Sequence, residues 1–500
     1  MGTRYRIEKG LRVGWSIRQI LLATSRTSTD RPLRLLVAAV AACTSTARCL
    51  TETPQVATVR PMTPDTPDAI TRLYRACEPN EALAADDPRF VILDDVRGET
   101  PSRQYERSLR LSDSTRPEVK VFAGHIGVGK SSELRRLQHR LENPETGRPY
   151  KVILAETGKA LDLNDLDFPD LLVFLAAEVQ RNLQALKIPG FTGTTEYLYR
   201  VWDEVKAALQ SNVSFSEVEI DVPFGSLTAE LRNRPSSRAL LRAEIEKQST
   251  SLQNAVNDLL ELARVKLWEA GWEGLVLIVD DLEKMPDRSL DSGVTTHERL
   301  FIHRSEQLAN LNAHVIYSVP ITLIYSPQFA GVEQAFGGRP IPVPMIRLRG
   351  DHRSPVTPNT AGMKKMREII DKRCQFAKVD FAEVFDSAET CHLLCEMTGG
   401  HPRHLMMFLR SALTRVEGLP ITRAAADGAI REAANSLVRQ IDQDEWPRLR
   451  SFLEPSGEIR HDPEHLQMLR LLHVFEYMNG EPWYEVNPVV RTLPRLYAAD

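Results

Sequence analysis

Eight consecutive residues, Gly124-His125-Ile126-Gly127-Val128-Gly129-Lys130-Ser131, constrain this chain more than any other part of it. The apolar run Glu118–Ala123 feeds directly into them, and Ser131–Leu141 follows with Leu134, Leu137 and Leu141 on one helical face. A strand, a glycine loop and a helix in that order belong to an α/β architecture. Three glycines let such a loop curl until its backbone N–H groups point inward. The helix start adds the positive end of its dipole, and the product is an anion cradle suited to phosphate. Lys130 brings a full positive charge to it, and the Ser131 hydroxyl is a hard oxygen ligand of the kind Mg²⁺ takes. Ser132 closes the set of residues expected to touch the ligand.

The rest of the chain reads in the same style. Tyr150–Ala155, Gly274–Asp280, His314–Val319 and Val343–Leu348 join Glu118–Ala123 as five strand candidates separated by helical stretches. That pattern predicts a five-stranded parallel sheet. Phe90–Leu93 also reads as a strand. Thr66 and Pro67 read as the cap and first turn of a helix running to Cys77, and Thr296–Leu311 as another helix. Val213–Val222 alternates like an inserted hairpin strand. The expected domains are a leader at 1–61, an α/β core at 62–350 with an insertion at about 190–235, a helical lid at 351–441 and a small unit at 442–500. Lid helices are expected at 362–377, 387–397, 402–416 and 422–441. In the last unit a helix over His465–Phe475 precedes a hairpin whose turn is Asn479-Gly480, a winged-helix pattern.

Chemistry at the cradle needs carboxylates on a neighbouring strand end. Leu275–Val279 is apolar on both faces and stops at Asp280-Asp281. Asp280 is expected to orient the metal, and Asp281 to polarise the attacking water or else to cap the following turn. Glu283 competes with Asp281 for that role. Ser318, at the tip of the next apolar strand, is placed to contact the terminal phosphate or the water. Gly399-Gly400-His401-Pro402-Arg403 opens a lid helix from which Arg403 can reach the phosphates, unless it is only a surface arginine. Arg299, Arg304, Arg347 and Arg349 are candidate fingers toward a neighbouring subunit. Cys391 and Cys395, with His401 and His404 nearby, fit no familiar zinc spacing and read as small core hydrophobes.

Taken together, Gly124–Ser131 (a full Walker A pattern), Leu275–Asp281, Val315–Pro320 and Gly399–Arg403 resemble the AAA+ and STAND branches of P-loop NTPases, over about residues 62–442. The double-aspartate Walker B and the lid motif look more like STAND and origin-recognition-type ATPases than unfoldases. The resemblance implies ATP with Mg²⁺, Asp281 as second acid, Ser318 as sensor 1, Arg403 as sensor 2, and a lid whose rotation reports nucleotide state. It departs from the STAND pattern in carrying no repeat array after the tail and no effector signature before the loop. Sensor and effector are then expected on partner proteins.

Charge and cysteine content narrow the class. The first 60 residues carry ten Lys/Arg against three acids, so the leader is +7 and the remainder, from a total of −4, is −11. A polycationic nucleic-acid binder is excluded. Six cysteines in 500 residues make no disulfide framework. Leu35–Ala42, after Arg31 and Arg34, resembles a short signal core, but it is too short to span a bilayer and export would strand an ATP-using domain. A mis-started or disordered leader, a cytoplasmic location and no membrane association are expected. Three functions stand as alternatives: the family resemblance implies an ATP-hydrolysing switch that gates assembly (as a homo-oligomer or with a protein partner), by analogy in a bacterial conflict or stress system; the arginine-rich tail allows a DNA-acting ATPase; and a nucleotide-binding scaffold without turnover needs only that Asp281 be inert.

Overall fold

The computed structural model describes residues 67–498 apart from 99–100, 113–115, 189–241, 243–245, 247–248, 291–292, 341, 351–358 and 455–456. The expected leader, the insertion at about 190–235 and its strand Val213–Val222 lie outside the described residues. Four strands, β1 (Val119–Phe122), β2 (Lys151–Glu156), β3 (Leu275–Asp280) and β4 (His314–Ser318), form one parallel sheet in the order β1-β4-β3-β2. Phe122 pairs with Ser318, and Glu156 with Asp280, so the carboxyl ends of all four strands share one edge. Every residue of β3 is buried. Leu275, Leu277 and Val279 face one core, and Val276 and Ile278 the other, as the two-residue strand period requires.

The expected fifth strand does not form. Val343 makes one parallel bridge to Gly124, its N–H donating to Ala123 O at 2.8 Å, and no ladder extends from it. Within this stretch Pro344 lacks a donor, and the Met345 and Arg347 N–H groups bond outside the sheet, to Glu476 O (3.5 Å) and Val96 O (3.2 Å), so the ladder ends after one rung. Phe90–Leu93 is likewise not a strand: it has no sheet edge beside it, and Val91 and Leu93 pack instead among helices.

Helix α1 (Ala69–Ala76) is capped by Asp68, whose Oδ1 accepts from the Thr71 N–H at 2.7 Å; the expected cap, Thr66, lies outside the described residues. Helix α2 (Lys130–Glu142) follows the glycine loop and buries Leu134, Leu137 and Leu141 on the sheet. On the opposite face lie α3 (Phe168–Ala185) and α4 (Ser249–Glu269). Asp167 and Asp170 form a capping box that starts α3, holding orphan N–H groups of its first turn. Helix Thr296–Leu311 is broken into Glu298–Ile302 and Ser305–Ala309, with Arg304 between them out of helical geometry and paired to Glu246 at 2.8 Å.

Four helices, α5 (Thr360–Ala377), α6 (Ala388–Met397), α7 (Pro402–Leu413) and α8 (Arg423–Val438), surround a second core with Met366, Ile370, Leu394, Leu405 and Leu409 at its centre. Each such leucine contributes roughly 1.5–3 kcal/mol by leaving water. Leu73 of α1 and Val96 belong to this core, as do Cys374, Cys391 and Cys395, which fill space as small apolar groups.

The last unit holds a short helix Glu445–Ser451, α9 (Pro463–Arg470) and the antiparallel pair β5 (Val474–Asn479) and β6 (Glu481–Val486), turning on Gly480 at φ 83°. The predicted helix to Phe475 stops at Arg470, because Leu472 takes a positive φ of 63° and turns the chain into β5. Trp446, Leu449, Phe452 and Met468 form a small core that Ile321, just after β4, also enters. Phe475, Tyr477 and Trp483 of the hairpin instead join the sheet-side core with Phe122, Val128 and Leu134. Among the described residues no helix is long and apolar enough to cross a membrane.

Candidate functional site

The glycine loop leaves the carboxyl end of β1 and enters α2, so it lies on the edge where Glu156, Asp280 and Ser318 also end. Ligands of open parallel sheets bind outside the carboxyl ends of their strands. Gly124, Gly127 and Gly129 all take positive φ (150°, 84° and 105°), which a side chain would strain. Gly127 is under a second constraint: a Cβ there would come within 2.7 Å of His401 and 3.0 Å of Arg403. The lid therefore rests directly on the loop.

Lys130 is buried, and its Nζ donates to the carbonyls of Gly124 (2.9 Å) and His125 (3.0 Å), with Glu283 3.7 Å away. Burial pulls its pKa down, and Glu283 and Asp280 act against that. Opposite it, the ligand oxygens of Asp280, Asp281 and Glu283 lie within 4.8 Å of one another. Burial, and then the charge of Glu283, push Asp280 up to about 6, while a hydrogen bond from the Ser131 hydroxyl works the other way. Glu283 behaves differently. Burial raises it, but Lys130, the Ser318 hydroxyl (2.7 Å) and a backbone N–H together leave it below the ordinary carboxylate range.

Asp281 sits in the left-handed region, φ 71° and ψ 0°, although it is no glycine, and it is buried. Aspartate tolerates that region better than most residues, at a cost of about 1 kcal/mol or more. Its carboxylate pairs with Lys284 at 2.5 Å. A Cβ on Gly158 would come within 2.8 Å of Asp281 Oδ2, so only glycine leaves room for that carboxylate. Thr157 steadies the strand end by donating to Asp280 O at 2.7 Å.

The remaining expected residues have these places. Ser318 Oγ donates to Glu283. Arg403 lines the cleft, donates through Nε to Pro79 O at 3.3 Å and feels the Glu283 charge. Ser132 Oγ accepts from Leu83 N–H at 3.0 Å, tying the segment before the core to the loop. His125 points away from the cleft into the hairpin unit, with Glu476 N–H donating to its Nε2. Ile126 O meets the His401 ring at 2.9 Å, and Val128 O accepts from Arg97 at 2.6 Å. Of the finger candidates, Arg299 pairs with Asp167, Arg304 with Glu246, Arg349 with Glu396, and Arg347 donates to Val96 O.

Loop, acids and lid enclose a cleft of about 400 Å³. Its far wall was not anticipated from the sequence: Leu83, Phe90 and Val91 from the segment after α1, and Ile369, Arg373 and Met406 from the lid. The lining thus combines apolar side chains with the basic and acidic groups of the loop and strand ends, the mix a ligand with both a ring system and a polyanionic part requires. The Ser131 hydroxyl and Asp280 carboxylate are the oxygen donors that a small hard dication takes.

No protein-family model matches the sequence. No curated protein matches it. Among solved structures, the fold is similar to a Walker-type ATPase of Pyrococcus abyssi (15% identity, TM-score 0.40, covering 85% of this chain and 100% of that one). It is also similar to the Drosophila ORC bound to DNA (12%, 0.36, 91% and 97%) and to Cdc6p from Pyrobaculum aerophilum (12%, 0.33, 85% and 96%).

Proposed function

We propose that this chain is a P-loop NTPase of the AAA+/STAND type that binds Mg-ATP and hydrolyses it as a switch. The observation that carries the reading is the meeting of Lys130 and Ser131, at the front of α2, with the Asp280, Asp281 and Glu283 carboxylates inside one cleft. Lys130 exchanges its two loop carbonyls for phosphate oxygens, and the loop N–H groups hold the rest of the polyanion. Ser131 and Asp280 hold the metal, which when bound neutralises charge on the phosphate oxygens. Asp281 orients the attacking water and takes its proton as the bond to the terminal phosphorus forms and the bridging P–O bond breaks. Glu283 is a positioning residue, aligning Lys130 and Ser318 from behind. Arg403 brings the lid's charge to the same cleft.

Because His401 and Arg403 of the lid lie against Gly127, a change in loop contents is felt at the start of α7. That contact supports a switch whose lid and tail respond to nucleotide and gate a homo-oligomer or a protein partner. The tail of 442–500 is read as a winged helix, but DNA binding gains little from it. Arg448 pairs with Asp444, Arg470 with Asp287, and Arg495 covers Trp446. The test is an ATPase assay with mass measurement, with and without ATP and duplex DNA. Turnover with an ATP-dependent change in mass supports the switch; turnover that needs DNA favours the DNA-acting alternative. Binding without turnover leaves only a scaffold.

A further inference from the structure

The second residue of the loop carries a side chain that the phosphate chemistry does not use. His125 is buried and does not line the cleft. Both its ring nitrogens bond to the C-terminal unit. The Glu476 N–H lies 2.9 Å from Nε2, and the Leu469 carbonyl 3.2 Å from Nδ1. A backbone N–H can only donate and a carbonyl can only accept. The imidazole must therefore be neutral, with its proton on Nδ1. Burial holds it there by pulling its pKa down to about 3.

The two bonds land on different elements of the tail, one at the end of α9 and one inside β5. Between them, Phe475 meets the His125 ring edge-on at 6.1 Å and stacks on His401 of the lid at 5.9 Å. His401 in turn touches the next loop residue through Ile126 O, and Tyr477 Oη donates to Gly399 O at 2.6 Å. Loop, lid start and hairpin thus converge on one aromatic ring. Gly399 has no space for a side chain here, since a Cβ would come within 2.7 Å of Phe475.

We propose that His125 is a positioning residue that ties the phosphate loop to the C-terminal hairpin, so that nucleotide in the loop changes how tightly residues 469–483 dock; this rests on the nucleotide reading above. The physical basis is a shared backbone. Peptide groups of the loop that turn toward phosphate move the Cα from which the imidazole projects, and both tail bonds depend on that projection. The coupling is reciprocal by necessity: a tail pulled away by a partner would alter nucleotide affinity by the same factor.

Hydrogen–deuterium exchange of the full chain, with and without saturating Mg-ATP, tests this in the wild type, His125→Ala and His125→Gln. In the wild type, nucleotide should change exchange in residues 469–483 by about tenfold, the scale of one or two buried hydrogen bonds in a local opening. His125→Ala should cut that response below about twofold while the response of Pro402–Leu413 persists, because the lid reads the loop through its own contacts. His125→Gln, which can accept from Glu476 N–H but cannot also reach Leu469 O, should restore part of it, and it carries the test if the alanine variant does not fold. A full tail response in His125→Ala overturns the inference, as does a wild type that responds in the lid but not in the tail. A wild type that neither binds Mg-ATP nor responds anywhere overturns the nucleotide reading itself, and this inference with it.

Discussion

The ammonium of Lys130 stands 3.7 Å from the carboxylate of Glu283, with both side chains shielded from water. Glu283 also accepts from Ser318, so one carboxylate holds the loop cation and the tip of β4 together. Glu283→Gln should therefore raise the apparent Kd for Mg-ATP by about tenfold, the cost of a buried charge partner, and lower turnover with it. Titration with a fluorescent ATP analogue measures it. An unchanged Kd would remove the positioning role.

Asp281→Asn should behave differently. Asparagine accepts the left-handed backbone but cannot take a proton, so binding stays within about threefold while kcat falls by about 100-fold or more. Single-turnover and steady-state rates separate the two variants. Hydrolysis by Asp281→Asn at the wild-type rate would move the base elsewhere.

The same residue links activity to stability. At φ 71°, alanine is strained where glycine is not. Asp281→Gly should thus be more stable than Asp281→Ala by about 1 kcal/mol, while both lack turnover. Urea denaturation of the two proteins checks the difference.

Glu476 sets a pH dependence. Burial pushes its carboxyl up to about 7, against an ordinary value of 4.5, with a hydrogen bond from Tyr325 acting against it. The folded protein keeps a proton that the unfolded chain has released, so stability falls as pH rises from about 4.5 to about 7 and is level above that. Glu476→Gln retains an acceptor for Tyr325 and should flatten this slope. Denaturation midpoints at several pH values measure it, and an unchanged slope would assign the effect to another group.

Much of the site is legible in the sequence because its signals are local. The glycine spacing, the doubly apolar β3 and the acids at its end all occupy short windows, and Asn479-Gly480 marks the hairpin. The fifth strand fails for a reason that is only partly local: Pro344 removes one donor, and the Met345 and Arg347 N–H groups bond to the distant Glu476 and Val96 instead of a sheet neighbour. Other features have no local signal. Nothing near His125 announces a partner at Glu476, and nothing near Phe90 announces that it walls a cleft with Met406 of the lid. Glu283 looks like a turn residue until β4 brings Ser318 beside it.

Every role proposed for the cleft requires a polyphosphate to enter the loop at Lys130. Isothermal titration of Mg-ATP into the wild type and Lys130→Ala tests this directly. The wild type should bind one nucleotide per chain, and Lys130→Ala should bind at least about 100-fold more weakly, for loss of a buried charge-assisted contact. Equal affinities in the two proteins, or no heat in either, would contradict it.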